Sequence, residues 1–408
     1  MVSKPKVAII GGGIAGLASA YFLKKHGVDS VVYERKTRVG GRFSTLEIEG
    51  VYINRAALMF SKRLNPCFTS LIHELGIAYR EIEKSKFVLQ VGDKLIPLNK
   101  QGLLESGLFN PEEVHSWIKL QELAQSLKFD YTEPDERLLK WHGMSLHEFC
   151  KKEAGFTDKM IDYLAQLYAS FQYVDPDELA ADKGLFSISY SITPTFTPKK
   201  GMGEVALQLK KRLADKVRSN THVRKVQHEQ GRGFMVTVGR KGKDNGSPEL
   251  EGPYEYCIFA TGKPSVKNIM PEVDFEVKCA KTRGFIIEAI CPQYRPYELL
   301  IFPKVGNKHG IHGGEMQHLP DGRSICAILL YRGDADLGAV FKKYKIIERL
   351  GWSPALGVMP PGGKIVDVTT NVKNVFVTGD FYRYPNLESC IYTAKKVAGI
   401  IANNVRGS

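Results

Sequence analysis

Residues 7–44 read Val7-Ala8-Ile9-Ile10-Gly11-Gly12-Gly13-Ile14-Ala15-Gly16, a helical stretch Leu17 to His26, a turn at Gly27, Ser30-Val31-Val32-Tyr33-Glu34, and Arg35-Lys36-Thr37-Arg38-Val39-Gly40-Gly41-Arg42-Phe43-Ser44. The first apolar run predicts a strand, the glycines a turn, and the stretch from Leu17 a helix. Each glycine has its own task. Gly11 allows the tight exit from the strand, Gly13 lets a pyrophosphate approach the backbone, and Gly16 lets helix and strand pack closely. The first helical turn, with Ala15, offers free N–H groups and a positive dipole end to the phosphates. Glu34 ends the second strand about twenty residues on, where a carboxylate accepts both hydroxyls of a ribose. All parts of a dinucleotide-binding unit are present together, which disfavours a purely structural βαβ unit.

The stretch beyond Glu34 selects the dinucleotide. A nicotinamide-binding domain has no need of a second glycine pair flanked by arginines, yet Arg38-Val39-Gly40-Gly41-Arg42 is one. Glu34 to Arg42 resembles the flavin-containing amine oxidase superfamily, which includes protoporphyrinogen oxidases and carotenoid desaturases. The resemblance implies FAD, held by Gly11, Gly13, Ala15, Gly16, Glu34, Arg35, Gly40, Gly41 and Arg42. Glu49 to Ala57 is similar to the superfamily's strand ending in an Asp-x-Gly-Ala-like turn beside the flavin ring, with Asn54 and Ala56 where Asp and Gly are usual. Val223 matches a position that flanks the adenine through backbone groups. Asn374 to Asp380, Pro385 to Cys390 and a helix from Ile391 to Asn403 resemble the closing FAD motif. There Gly379 and Asp380 would meet the ribityl or phosphate groups. The helix N-terminus near Leu387 would face the flavin pyrimidine, where its dipole stabilises the charge of a reduced flavin.

A chain of 408 residues suggests two domains. With 43% hydrophobic and 25% charged residues, the composition is that of a water-soluble globular protein. The net charge of +13 is spread in short clusters such as Lys210-Lys211-Arg212, without a nucleic-acid motif. A solvated basic surface suited to an anionic cofactor is the first reading of this charge, and peripheral membrane contact the second. Seven scattered cysteines without CxxC spacing point to reduced thiols and away from a disulfide framework or zinc site. The short apolar start is needed as a strand, not as a leader, and no run approaches the ~18 apolar residues of a spanning helix. A cytoplasmic protein is expected.

The expected class is α/β: a Rossmann-type FAD-binding domain from 1–80, 195–270 and 368–408, and a second α+β substrate-binding domain, a mixed sheet with helices, from 81–194 and 271–367. Within the second domain, a strand pair (Phe87 to Val91, Lys94 to Pro97) should precede long helices around Glu112 to Phe129 and Leu146 to Phe171. Strands at Gly284 to Ile290, Glu298 to Phe302 and Ser324 to Tyr331 should form an antiparallel floor, and Lys241 to Glu251 a polar hairpin or loop. His309, His312, Glu315 and His318 invite a metal, but the intervening glycines favour solvated or packing histidines.

FAD would carry the chemistry. The resemblance implies hydride transfer from a C–N or C–C unit of a partly apolar small molecule to flavin N5, with oxygen or a quinone accepting the electrons. Where amine oxidases place an aromatic cage residue before the closing motif, this chain has Asn386, with Tyr382, Tyr384 and Tyr392 near. Tyr382, Tyr384 and Asn386 are the candidate catalytic residues. The lysine common near the flavin in amine oxidases has no matching position, and Glu288 lies in that strand region. These departures favour a larger substrate, as in protoporphyrinogen oxidases or desaturases, over a simple monoamine. Two other classes stay open: an FAD-binding protein with a non-redox, isomerase-like role, and a maturation enzyme that docks a peptide or protein on its basic surface.

Overall fold

Val7, Ala8, Ile9 and Ile10 are all buried because both faces of their strand are covered. In the computed structural model, which describes residues 6–82, 87–240, 248–295, 299–331 and 334–407, Lys6–Ile10 is the centre of a five-stranded parallel sheet. The strand order is Val375–Val377, Tyr256–Phe259, Lys6–Ile10, Asp29–Tyr33, Val217–Arg218. Val7 and Ile9 pack against the helices Ile14–Lys25, Pro66–Leu75, Gly203–Leu213 and Leu387–Gly407. Ala8 and Ile10 face a three-stranded antiparallel sheet (Thr221–Glu229, Gly233–Arg240, Glu249–Tyr254) and the helix Lys263–Ile269.

A second body is built on a seven-stranded sheet: Tyr344–Val358, Lys278–Ala289, Ser324–Leu330, Ile311–His318, Leu299–Ile301, Phe87–Val91, Lys94–Pro97. It is antiparallel except where Leu299–Ile301 runs parallel to Phe87–Val91. Helices between Lys100 and Ile192 cover one face, with Phe87, Leu89 and Ile301 of the sheet in their core. The chain leaves the first body along Tyr79–Ile82 and returns along Thr195–Pro198, and these two segments pair antiparallel.

Several expected elements take a different form. The helix expected from Leu146 to Phe171 is broken: Leu146–Lys152 stops before Gly155, which has φ +67°, and Thr157 caps a new start at Asp158. The glycine-rich stretch around His312, to which the sequence assigns no element, is the strand Ile311–His318. A side chain at Gly313 or Gly314 would strike the carbonyl oxygens of Leu300 or Ala327, so glycines there admit close neighbouring strands. Tyr344–Val358 is a long strand on the sheet's edge, largely exposed over its first ten residues and without a strong apolar alternation to announce it. The last helix begins at Leu387 rather than Ile391, because Asn386 caps it. Of the expected 241–251 loop, 241–247 lie outside the described residues, as does Glu298, and Glu249–Tyr254 is a strand.

Candidate active site

The glycine turn carries the chain from Ile10 into the helix Ile14–Lys25, whose N-terminus no side chain caps. Its first N–H groups lack intrahelical partners. Gly40 N–H donates to the Gly12 carbonyl (2.8 Å), seating the second glycine pair against the first turn. Gly40 has φ +102°, a conformation that disfavours any residue with a Cβ. Glu34 accepts from Gly12 N–H (2.9 Å) through Oε2 and from Lys36 N–H (2.8 Å) through Oε1. Each carboxylate oxygen keeps lone-pair capacity for a ribose hydroxyl.

One cavity of about 550 Å³ collects these parts. Gly11, Gly13, Ala15, Glu34, Arg35, Gly40, Gly41, Arg42, Val223, Gly379, Asp380 and Leu387 all line it. Gly16 lies behind the wall, packed against the Gly11 carbonyl. Arg42 Nη1 pairs with Asp380 Oδ2 at 2.6 Å, joining the first and last motifs of the chain. Burial alone would lower the Arg42 pKa, but Asp380 outweighs it and the guanidinium is held charged above its ordinary value. Asn54, in the position of the usual aspartate, accepts from Thr45 Oγ1 and Met202 N–H, both at 2.9 Å, and so ties the turn to the returning chain.

The three candidate catalytic residues separate. Asn386 lines the cavity, and its Oδ1 accepts from Glu388 N–H (2.6 Å), Ser389 N–H (3.2 Å) and Tyr131 OH (3.0 Å). Its Nδ2 is buried with no hydrogen-bond partner among the described residues, a free amide donor in the wall. Tyr382 and Tyr384 are not in the cavity lining. Tyr382 stacks on Tyr131 and Tyr392, and Tyr384 is fully buried, stacked on Phe186 at 9°. Both have packing roles.

The second body supplies the rest of the wall. Phe87, Phe171, Phe186, Tyr190 and Ile301 make it largely apolar, with Met59 of the first body beside them, and Lys183, His312 and Glu315 interrupt it. Strict alternation would put His312 and Glu315 on opposite faces of their strand. The register slips between Ile311 and Gly313, and both line the cavity. Burial lowers the His312 pKa to about 4, so the imidazole is neutral at pH 7, edge-on to Tyr173 and Tyr331. Burial raises the Glu315 carboxyl to about 7, and Gln317 Nε2 donates to its Oε1 at 2.8 Å. Burial also pulls Lys183 down to about 7 against the opposing fields of Asp182 and Asp380. Such perturbed groups cluster at working sites. In the sequence His312 and Glu315 stand out only as metal candidates, and Lys183 not at all. The available signal was the charged pair Asp182-Lys183 inside an apolar run, Leu179 to Ile188. His309 and His318 are occupied elsewhere, against Phe302 and between Ser324 and the Tyr294 carbonyl.

The residues present fit FAD: open space at Gly13, an uncapped helix N-terminus, an acid at the ribose position and an unmet donor at Asn386. A cavity with these features is that of a dinucleotide-binding protein. The family profile described as flavin containing amine oxidoreductase matches residues 14–283, and the chain belongs to that family; its cofactor is FAD. The chain is 25% identical over 370 residues to an L-amino acid oxidase of Cerastes cerastes, covering 82% of this chain and 68% of that one. It is 40% identical over 77 residues to a lysine-specific histone demethylase 1B homolog of Caenorhabditis elegans, 19% of this chain and 9% of that protein. It is 25% identical over 217 residues to protoporphyrinogen oxidase 2 of Arabidopsis thaliana, 50% of this chain and 38% of that protein. Two solved structures share the fold: an oxidoreductase of Methanosarcina mazei (TM-score 0.70, 16% identity, 97% of this chain and 99% of that one) and the cyclohexylamine oxidase of Brevibacterium oxydans (TM-score 0.66, 16% identity, 99% and 100%). No described helix is long and apolar enough to cross a membrane.

Glu34→Ala removes the ribose-position acid and also frees Gly12 N–H. FAD affinity is expected to fall by about 10- to 100-fold, as for a lost pair of charge-assisted hydrogen bonds. Titration of the flavin-stripped variant with FAD, followed by flavin fluorescence, measures it.

Proposed function

We propose that the chain is an FAD-dependent oxidase or desaturase that removes a hydride from a C–N or C–C unit of a partly apolar organic substrate. The observation that carries this is the shared cavity: the dinucleotide motifs line it from the parallel-sheet body, and apolar side chains line it from the helical layer and the seven-stranded sheet. On this reading, segments 1–80, 195–270 and 368–408 hold the cofactor, while 81–194 and 271–367 present the substrate. FAD, when bound, supplies the two-electron acceptor, taking the hydride at N5.

The protein's own part is orientation and exclusion of water. The Gly11–Gly13 turn and Arg42 would hold phosphate, Glu34 a ribose, Asp380 the ribityl region, and the N-terminus of Leu387–Gly407 would face the ring pyrimidine, where its dipole favours negative charge. The apolar wall positions the substrate carbon and keeps the site dry. Oxygen or a quinone would be the final electron acceptor. Stopped-flow mixing of the FAD-loaded protein with porphyrinogens, polyenes, amines and amino acids under anaerobic conditions tests the reading. Bleaching of the flavin by at least one class, with oxygen or quinone uptake on re-aeration, is expected. Flavin that stays oxidised while the substrate rearranges, or no oxygen or quinone consumption with any substrate, would favour the non-redox role. Co-purification with a peptide or protein that itself bleaches the flavin would favour the maturation role.

A further inference from the structure

We propose that Lys183 is the anion anchor of the cavity and that the substrate carries a carboxylate, which pairs with its ammonium. The inference rests on the reading of this cavity as the site of flavin and substrate.

Lys183 is 1% exposed and lines the cavity with its ammonium 4.3 Å from the Phe186 ring centre. Among the described residues it makes no ion pair and donates no side-chain hydrogen bond. An unpaired buried ammonium is costly, and cation–π attraction offsets only part of that cost. The two carboxylates whose fields reach it are already engaged. Asp182 Oδ2 accepts from His142 Nδ1 at 3.0 Å, and its Oδ1 accepts the Lys183 backbone N–H at 2.8 Å. His142 Nε2 also meets the Gly363 carbonyl, at 2.8 Å. Both ring nitrogens thus face an acceptor, and the Asp182 hydrogen bond raises the imidazole's pKa. Asp380 is held by Arg42 at 2.6 Å. The fold thus gives each nearby carboxylate another side-chain partner and leaves Lys183, among the described residues, with no ion pair.

The other cations that line the cavity stand at its dinucleotide end, where Arg42 pairs with Asp380, Arg38 and Arg55 with Glu348, and Lys263 with Asp274. His312 is neutral and Glu315 is raised toward neutrality by its burial. A carboxylate entering with the substrate would meet a donor with three N–H bonds in a dry, apolar wall, where a charge-assisted hydrogen bond is strong. A polyene or a simple amine would leave Lys183 unpaired.

The test uses matched acid and amide probes: acetate with acetamide, benzoate with benzamide, phenylacetate with phenylacetamide. Each is titrated into the FAD-loaded protein and followed by the shift of the flavin absorption. The wild type should bind at least one acid about tenfold or more tighter than its amide. Lys183→Met should bring the pair to within about twofold, and Lys183→Arg should retain a preference for the acid. No preference in any pair would overturn the proposal, as would an unchanged preference in Lys183→Met. A variant that loses affinity for sulfite at the flavin while keeping the acid preference would also overturn it, by assigning the cation to the flavin instead. If Lys183→Met does not hold FAD, Lys183→Gln, which removes the charge and keeps a polar end, takes its place, and an unchanged acid preference in it overturns the proposal. A wild type that binds no FAD would refute the cavity reading itself, an outcome visible before any probe is added.

Discussion

Gly13→Val should yield a folded protein without flavin. Gly13 has φ −72° and ψ 177°, extended backbone that valine adopts readily, and a Cβ there would meet nothing within 4 Å. The added side chain therefore costs the polypeptide little and projects into the open cavity where a pyrophosphate has to approach. FAD occupancy after purification should drop to below about a tenth of wild type, with the melting temperature of the flavin-stripped proteins unchanged to within about 2 °C. Gly16→Val is the contrasting control. Its side chain would be driven into the Gly11 carbonyl oxygen and against Ala260, so it should destabilise the fold outright. Absorption of the purified proteins and thermal melts by circular dichroism separate the two. A Gly13→Val protein that retains full flavin would remove the N-terminal motif from the site.

A large stability effect is also expected at Glu388. This residue is 1% exposed in the first turn of Leu387–Gly407, and its two oxygens accept Cys67 N–H (2.7 Å) and Phe68 N–H (3.0 Å) at the start of Pro66–Leu75. One carboxylate thus serves the N-terminal ends of two helices. Glu388→Ala orphans both donors and leaves a void, with an expected cost of about 3 kcal/mol. The pH dependence has a definite sign. Burial raises the folded-state pKa of Glu388 to about 7 from its ordinary 4.5, and the backbone hydrogen bonds only partly oppose this. Its contribution to stability is therefore complete below about pH 4.5 and is lost as pH rises through about 7. Glu388→Gln, uncharged at every pH, should be less stable than wild type at pH 5 and recover part of that difference by pH 8. Urea melts at the two pH values check this; a difference that grows with pH would contradict it.

The parallel-sheet body was legible because each of its signals is local. The Val7–Ile10 run, the glycine spacing and Glu34 sit within one βαβ unit, and Gly379-Asp380 follows its strand directly. The cavity lining then brings these motifs together from both ends of the chain. The substrate side was not legible in the same way. Lys183 acquires its character only when Asp182 is taken by His142, forty residues earlier, and Asp380 by Arg42, 338 residues away in sequence. His312 and Glu315 share a wall through a register slip that no spacing rule anticipates. Tyr382 and Tyr384 sit near the closing motif in sequence but turn toward Tyr131 and Phe186, because the Asn386 cap sets the direction of the last helix. Proximity along the chain pointed to the tyrosines; packing selected the lysine.

The most direct measurement is the visible spectrum of the purified protein, followed by identification of the flavin released on denaturation. The expected result is a yellow protein with the two absorption bands of an oxidised flavin, releasing FAD in about equimolar amount. A colourless protein that also fails to bind added FAD would contradict the assignment of the cavity.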